Sequence, residues 1–117
     1  MTNVQEFKMF KGDHKTFELQ VKDQDGNPID LSGATIRMTV KKHATDETAV
    51  ISKTSNNASE ISITDPANGI AEIYLVPSDT RNLDAGKYIF DIEITTAAGK
   101  VYTVLLANLT LVEDVSK

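Results

Sequence analysis

Apolar and polar residues alternate along most of the chain with a period of two. Successive side chains of a β-strand point to opposite faces, so each alternating run predicts a strand with one apolar and one polar face. Runs of this kind are typical of antiparallel sheets that contact water on one side. Their apolar residues are Phe17, Leu19 and Val21; Ile36, Met38 and Val40; Ile61 and Ile63; Ala71, Ile73 and Leu75; and Tyr88, Phe90, Ile92 and Ile94.

Turn-forming residues separate these runs. Glycine, proline, asparagine and aspartate occur in segments 11–13, 23–28, 65–69 and 97–100, and these residue types favour reversals of the chain. Short strands punctuated by turns are typical of an immunoglobulin-like antiparallel β-sandwich, so we predict an all-β fold of about seven strands. We expect a single domain over residues 1–117, with one short helical turn near residues 77–83 that begins at Pro77.

Two segments have a weaker pattern. Residues 4–10 predict a first strand. The polar segment 43–59 predicts a short edge strand at residues 49–53 and a mobile loop at residues 54–59.

The sequence LDAGKY at residues 83–88 predicts a tyrosine corner. In such a corner the tyrosine ring turns into the core, and its hydroxyl donates a hydrogen bond to the backbone a few residues upstream. We therefore interpret Leu83, Gly86 and Tyr88 as structural residues of the corner. The motif informs the fold and carries no chemistry.

The last strand, over residues 101–112, is apolar on both faces. A bulge near Ala107 and Asn108 would switch its faces and let Tyr102, Val104 and Leu106 share the core with Leu109 and Leu111. Alternatively, one apolar row faces a neighbouring subunit, since large exposed apolar patches mark interfaces. The sequence leaves both interpretations open.

Composition narrows the possible functions. The chain has 117 residues, no cysteine and a net charge of −5, so a disulfide framework and a thiolate metal site are excluded. The acidic balance argues against a nucleic-acid partner. No apolar run reaches the roughly 20 residues of a membrane span, and the first residues lack a secretion pattern. We expect synthesis in a cytoplasm and no membrane partner.

The sequence contains one weak candidate for a metal site, in the aspartate-rich segment 23–30. Asp23, Asp25, Asn27 and Asp30 supply oxygen atoms at spacings that begin a calcium loop. Gly26, however, is at the fourth position of that loop and no glutamate follows at the twelfth, so a β-turn is the preferred interpretation. The two histidines, His14 and His43, are far apart in sequence and are interpreted as solvated. We expect no metal and no cofactor.

No catalytic constellation is present in the sequence. Serines and threonines lie on predicted strand faces and turns, and no nucleophile elbow occurs. Asp91 and Glu93 share a strand face and could act as paired carboxylates. Their alternation with Phe90, Ile92 and Ile94 indicates a plain solvent face instead. We therefore expect a protein that is not an enzyme and has no catalytic residues.

Four segments resemble parts of small β-sandwich modules of phage and prophage virion proteins. Residues 11–19, KGDHKTFEL, resemble the opening of these modules, and residues 25–36, DGNPIDLSGATI, resemble their next element. The corner at residues 83–88 and the hairpin AGKVY at residues 98–102 are similar to their closing half. Modules with these motifs include the N-terminal module of upper baseplate proteins, and small immunoglobulin-like proteins of phage tails or heads are similar.

The resemblance implies assembly. We expect a non-enzymatic docking protein of a bacteriophage or prophage virion, in the baseplate or tail, which is assembled in the bacterial cytoplasm as a trimer or hexamer and binds other virion proteins. A capsid decoration protein is an alternative. Another is a module that binds carbohydrate on the host surface through Tyr74 or Tyr102 and residues 43–59.

An exposed sheet edge, the first strand and the last strand are the expected working surfaces, because an unpaired edge is a template for pairing with a neighbour. The candidate interface residues are Val4, Phe7, Tyr74, Val101, Tyr102 and Leu105.

Overall fold

A computed structural model describes residues 5–113 and residue 115 of the chain, and within them it contains eight β-strands. The strands are β1 Gln5–Phe10, β2 Lys15–Gln20, β3 Thr35–Lys41, β4 Ile51–Thr54, β5 Ile61–Asp65, β6 Ile70–Leu75, β7 Gly86–Thr95 and β8 Val101–Val112. A 3-10 helix, Pro66–Asn68, joins β5 to β6, and one helical turn, α1 Pro77–Thr80, follows β6.

The strands form two sheets. The first has five strands in the order β1-β8-β7-β3-β4, and the second has three in the order β2-β6-β5. Only the pairing of β1 with β8 is parallel among the strand pairs of the described chain. The prediction of an all-β sandwich with a helical turn near residue 77 is confirmed, and the weakly patterned segment 43–59 contains the edge strand β4.

The core lies between the sheets and contains the apolar rows that the alternation predicts. Burial of an aliphatic or aromatic side chain of this kind contributes roughly 1.5–3 kcal/mol, so these rows dominate the stability of the sandwich. The fully buried members of the rows include Ile36, Met38, Val40, Ile61, Ile73, Leu75, Ile94, Leu109 and Leu111.

The tyrosine corner forms as predicted. The Tyr88 hydroxyl donates a hydrogen bond of 2.7 Å to the backbone oxygen of Asp84, and the Tyr88 side chain is buried. Leu83 packs against the core, and Gly86 has a φ of 138° that side-chain-bearing residues rarely adopt. The Lys42 ammonium lies 4.5 Å from the centre of the Tyr88 ring. Burial, and secondarily the Asp84 carboxylate, raise the pKa of Tyr88.

A buried polar cluster, which the sequence did not indicate, ties α1 to both sheets. Asp79 accepts a hydrogen bond from the Val76 amide at 2.8 Å and pairs with the Lys53 ammonium of β4 at 2.6 Å. Next to it in sequence, the fully buried Thr80 accepts a hydrogen bond of 2.8 Å from the Gly12 amide, in the turn between β1 and β2. The helical turn therefore joins three separate parts of the chain.

The bulge in β8 lies nearer its start than the sequence predicted. Leu105 is opposite Ile92 and Thr103 is opposite Glu93, so Val104 is the extra residue. The prediction of a bulge near Ala107 and Asn108 is wrong, because β8 there pairs regularly with both β7 and β1. Bulges favour positions where a strand has a free edge. Ala107, Leu109 and Leu111 are buried, whereas Leu106 is 37% exposed and does not join the core.

Candidate protein-binding surfaces

The first half of β8 has a free backbone edge within the described chain. Strand β1 pairs with β8 only from Ala107 to Val112. Residues 101–106 therefore have β7 on one side and no described strand on the other. Free edges of this kind present N–H and C=O groups in the spacing that another strand needs.

Exposed apolar side chains accompany this edge. Val101 is 57% exposed and Tyr102 is 50% exposed. Segment 101–106, VYTVLL, contains no charged residue, although natural proteins usually protect an edge with lysine or another charge. The edge is therefore suited to contact with another protein chain.

A cavity of about 640 Å³ opens beside this edge, between the two sheets. Tyr102 is opposite the buried Ile94, so its side chain is on the inner side of the sheet and lines the cavity. The free edge of residues 101–106 together with this cavity is called the seam below. The other apolar side chains of its wall are Leu19, Val21, Ile29, Ile94 and Val104.

A second surface is the outer face of the five-stranded sheet. A groove of about 300 Å³ runs across it. Charged residues line this groove in two rows, Arg37 and Lys41 from β3 and Asp91 and Glu93 from β7. The paired carboxylates considered in the sequence therefore lie on an open face, next to basic residues.

The candidate interface residues do not form one patch. Val4 lies outside the described residues. Phe7 and Leu105 pack against the core, and the Phe7 ring is 5.1 Å from that of Phe17 in an edge-to-face arrangement. Of the five candidate residues that the structure describes, Val101 and Tyr102 have the largest exposed fractions. Their role in an interface stays a prediction.

Tyr74 lies apart from Tyr102, on the other sheet. It belongs to β6, where it alternates with the buried Ile73 and Leu75 and is half-buried. Its hydroxyl donates a hydrogen bond of 3.0 Å to Glu72, and this bond is the main cause that raises the pKa of Tyr74. The structure therefore does not bring Tyr74 and Tyr102 together as one aromatic platform.

The aspartate-rich turn is engaged in its own backbone. One Asp23 carboxylate oxygen accepts hydrogen bonds from the amides of Asp25 and Asn27, both at 2.9 Å. The Ser32 hydroxyl and amide donate to Asp30 and lower the pKa of its carboxyl. Hydrogen bonds of this kind, from a side chain to the backbone of its own turn, are those expected of a β-turn. His14 and His43 are both exposed.

Segment 54–60 is a hydrogen-bonded turn. The Asn57 side chain accepts hydrogen bonds from the amide and hydroxyl of Ser59 at 3.1 and 2.7 Å. The Glu60 side chain accepts one from the Thr54 amide at 3.0 Å. The segment predicted to be a mobile loop is thus closed by its own polar side chains.

No helix in the described part of the chain is long and apolar enough to cross a membrane.

Comparisons with known proteins show the fold. No protein-family model matches the chain, and no curated protein matches it. Among solved structures, the NK cell receptor NKp44, described as a triggering partner in natural cytotoxicity, is similar with a TM-score of 0.56 and 18% identity, over 95% of this chain and 100% of that one. The immunoglobulin-like sandwich predicted from the sequence is thereby confirmed.

A second similar structure is a family 123 glycoside hydrolase from Clostridium perfringens, with a TM-score of 0.42 and 15% identity over 98% of this chain and 24% of that one. At that TM-score the likeness carries no argument about this chain.

Proposed function

We propose that the chain is a non-enzymatic docking protein of a bacteriophage or prophage virion, in its baseplate or tail, and that it binds other virion proteins through the seam. The seam carries this proposal. It combines a free strand edge without charge, the exposed Val101 and Tyr102, and a cavity beside them whose apolar side chains are rimmed by polar ones such as Gln20, Lys22 and Asp23. An extended segment of a partner would extend the five-stranded sheet there, with backbone hydrogen bonds along the edge and apolar side chains in the cavity.

The virion context is supported by the motifs that resemble phage modules. Their residues hold the sandwich together: Gly12 of the first motif donates to Thr80, Leu31 of the second is fully buried, and Tyr88 closes the corner. Motifs of this kind identify a module and leave its surfaces free to vary. The seam shares Val101 and Tyr102 with the resembling hairpin at residues 98–102 and continues along residues 103–106.

Incorporation into particles tests this function. A strain that produces the virion without its own copy of the gene would be supplied with wild-type protein or with Tyr102→Asp, and purified particles would be analysed by mass spectrometry. We expect Tyr102→Asp to reduce incorporation at least about tenfold, because a carboxylate in place of the aromatic ring loses its hydration on docking.

Val50→Asp is the matched control, since Val50 is also an exposed apolar residue, at 38%, and lies outside the seam. It should be incorporated like the wild type. Equal incorporation of a folded Tyr102→Asp protein would contradict a role for the seam, and absence of the wild-type protein from particles would contradict the virion function itself.

A further inference from the structure

The outer face of the five-stranded sheet carries a charge pattern that is complementary to itself. Strand β3 presents Arg37 and Lys41, and the adjacent β7 presents Asp91 and Glu93, all on the wall of one groove. Arg37 is directly opposite Glu93, and Thr39 is directly opposite Asp91. Arg37 and Glu93 are therefore at the same level along the strands, whereas Lys41 is opposite the uncharged Ile89.

These four charged groups have no ionic partner within the described chain. The two ion pairs there are Lys11 with Glu113 and Lys53 with Asp79. Lys41, Asp91 and Glu93 are half-buried, so each has lost part of its hydration. An opposite charge placed over such a group adds a favourable Coulomb interaction, which the further loss of hydration offsets in part.

We infer that this face pairs with the same face of a second copy of the chain. A twofold axis that runs parallel to the strands, midway between β3 and β7, places β3 of one copy over β7 of the other without changing the level along the strands. Because Arg37 and Glu93 are at the same level, Arg37 of each copy meets Glu93 of the second copy. The symmetry therefore forms two equivalent ion pairs.

Apolar side chains lie beside the charged residues. Ile89 and Leu106 line the same groove as the charges, and Leu106 is 37% exposed in the single chain. Pairing of the two faces covers these side chains. Four strands at about 4.8 Å spacing give a face roughly 20 Å wide, which is small for a stable interface, so we expect a weak dimer that forms at high protein concentration.

This inference extends the proposed function to a different surface. The seam lies at the edge of the sheet and receives another protein, whereas the self-pairing contact lies on the flat outer face. It is also testable on the isolated protein, so its outcome is independent of incorporation into a virion.

The decisive experiment reverses one charge in each of two variants and asks whether a mixture of the two variants dimerises. Sedimentation velocity would be measured on the wild type, on Arg37→Glu, on Glu93→Arg, and on an equimolar mixture of the two variants. Each variant alone places like charges opposite each other and should raise the dimer Kd at least about tenfold. The mixture should form the dimer again, because Glu at position 37 of one variant then meets Arg at position 93 of the other.

Matched charge reversals elsewhere are the controls. Arg81→Glu and Glu18→Arg make the same charge reversals at exposed positions away from this face and should leave the dimer intact. The double variant Arg37→Glu with Glu93→Arg should also dimerise. A wild type that stays monomeric at every concentration, or single variants that dimerise as well as the wild type while circular dichroism shows them folded, would overturn the inference.

Discussion

At the scale of single residues, polar side chains fix the connections between strands. Tyr88 donates to the backbone of Asp84, Thr80 accepts from Gly12, and Asp23 accepts from two amides of its own turn. The Tyr88 contact was predictable, because the corner is a local motif of six residues. The contact between Thr80 and Gly12 was not, because 68 positions separate its members and only the folded sandwich brings them together.

The hydroxyl of Tyr88 should contribute measurably to stability. Tyr88→Phe keeps the buried ring but leaves the Asp84 backbone oxygen without its donor, so we expect a loss of roughly 1–3 kcal/mol in the free energy of unfolding. Urea denaturation would measure it. Tyr102→Phe is the control, since its half-exposed hydroxyl makes no such bond, and it should stay close to the wild type. Equal stability of Tyr88→Phe and wild type would contradict the corner's role.

The same residue gives a pH dependence. Burial raises the pKa of Tyr88 above its usual value of 10.0, so the unfolded chain ionises this group first as the pH rises. The stability that Tyr88 contributes is fully present below pH 10 and is lost as the pH rises through its higher folded pKa. The stability difference between wild type and Tyr88→Phe should therefore stay constant from neutral pH up to about pH 9 and shrink as the pH rises above about 10. A difference that stays constant or grows would refute this assignment.

Among the strands, the alternation of apolar and polar residues predicted where they lie along the chain but not where the bulge in β8 lies. The apolar rows of β2, β3, β6 and β7 face the core as their period of two indicates. Strand β8 was ambiguous because both of its rows are apolar, and only its pairing shows that the extra residue is Val104. The alternation could not locate the bulge, because the apolar residues on both faces of β8 give the same pattern whichever residue lacks a partner on β7.

The ion pair between β4 and α1 should be important for stability. Lys53→Met leaves the Asp79 carboxylate largely buried without its cation, at 18% exposure, and should cost about 3 kcal/mol. Replacement of both partners, Lys53→Met with Asp79→Asn, should recover most of that loss because no unpaired charge remains and the amide oxygen still accepts from Val76. Thermal unfolding of the three variants would show the coupling, and equal losses for the single and double variants would argue against it.

At the scale of the whole molecule, the sandwich is closed by α1 and the corner, while the seam remains open. The seam and the charged outer face belong to the same sheet, so a twofold pair of chains would hold two seams in a fixed relation. Such a pair fits a hexamer built from two trimers and does not by itself form a trimer. The sequence indicated an interface on the last strand, but the free edge became visible only once β1 was seen to cover half of it.

Quantitative mass spectrometry of particles purified through successive density gradients would test whether the chain is a structural part of a virion, as we propose. We expect a constant ratio of this chain to the major tail or capsid protein at every step, with a copy number that is a multiple of three. A ratio that falls towards zero as purification proceeds would contradict it.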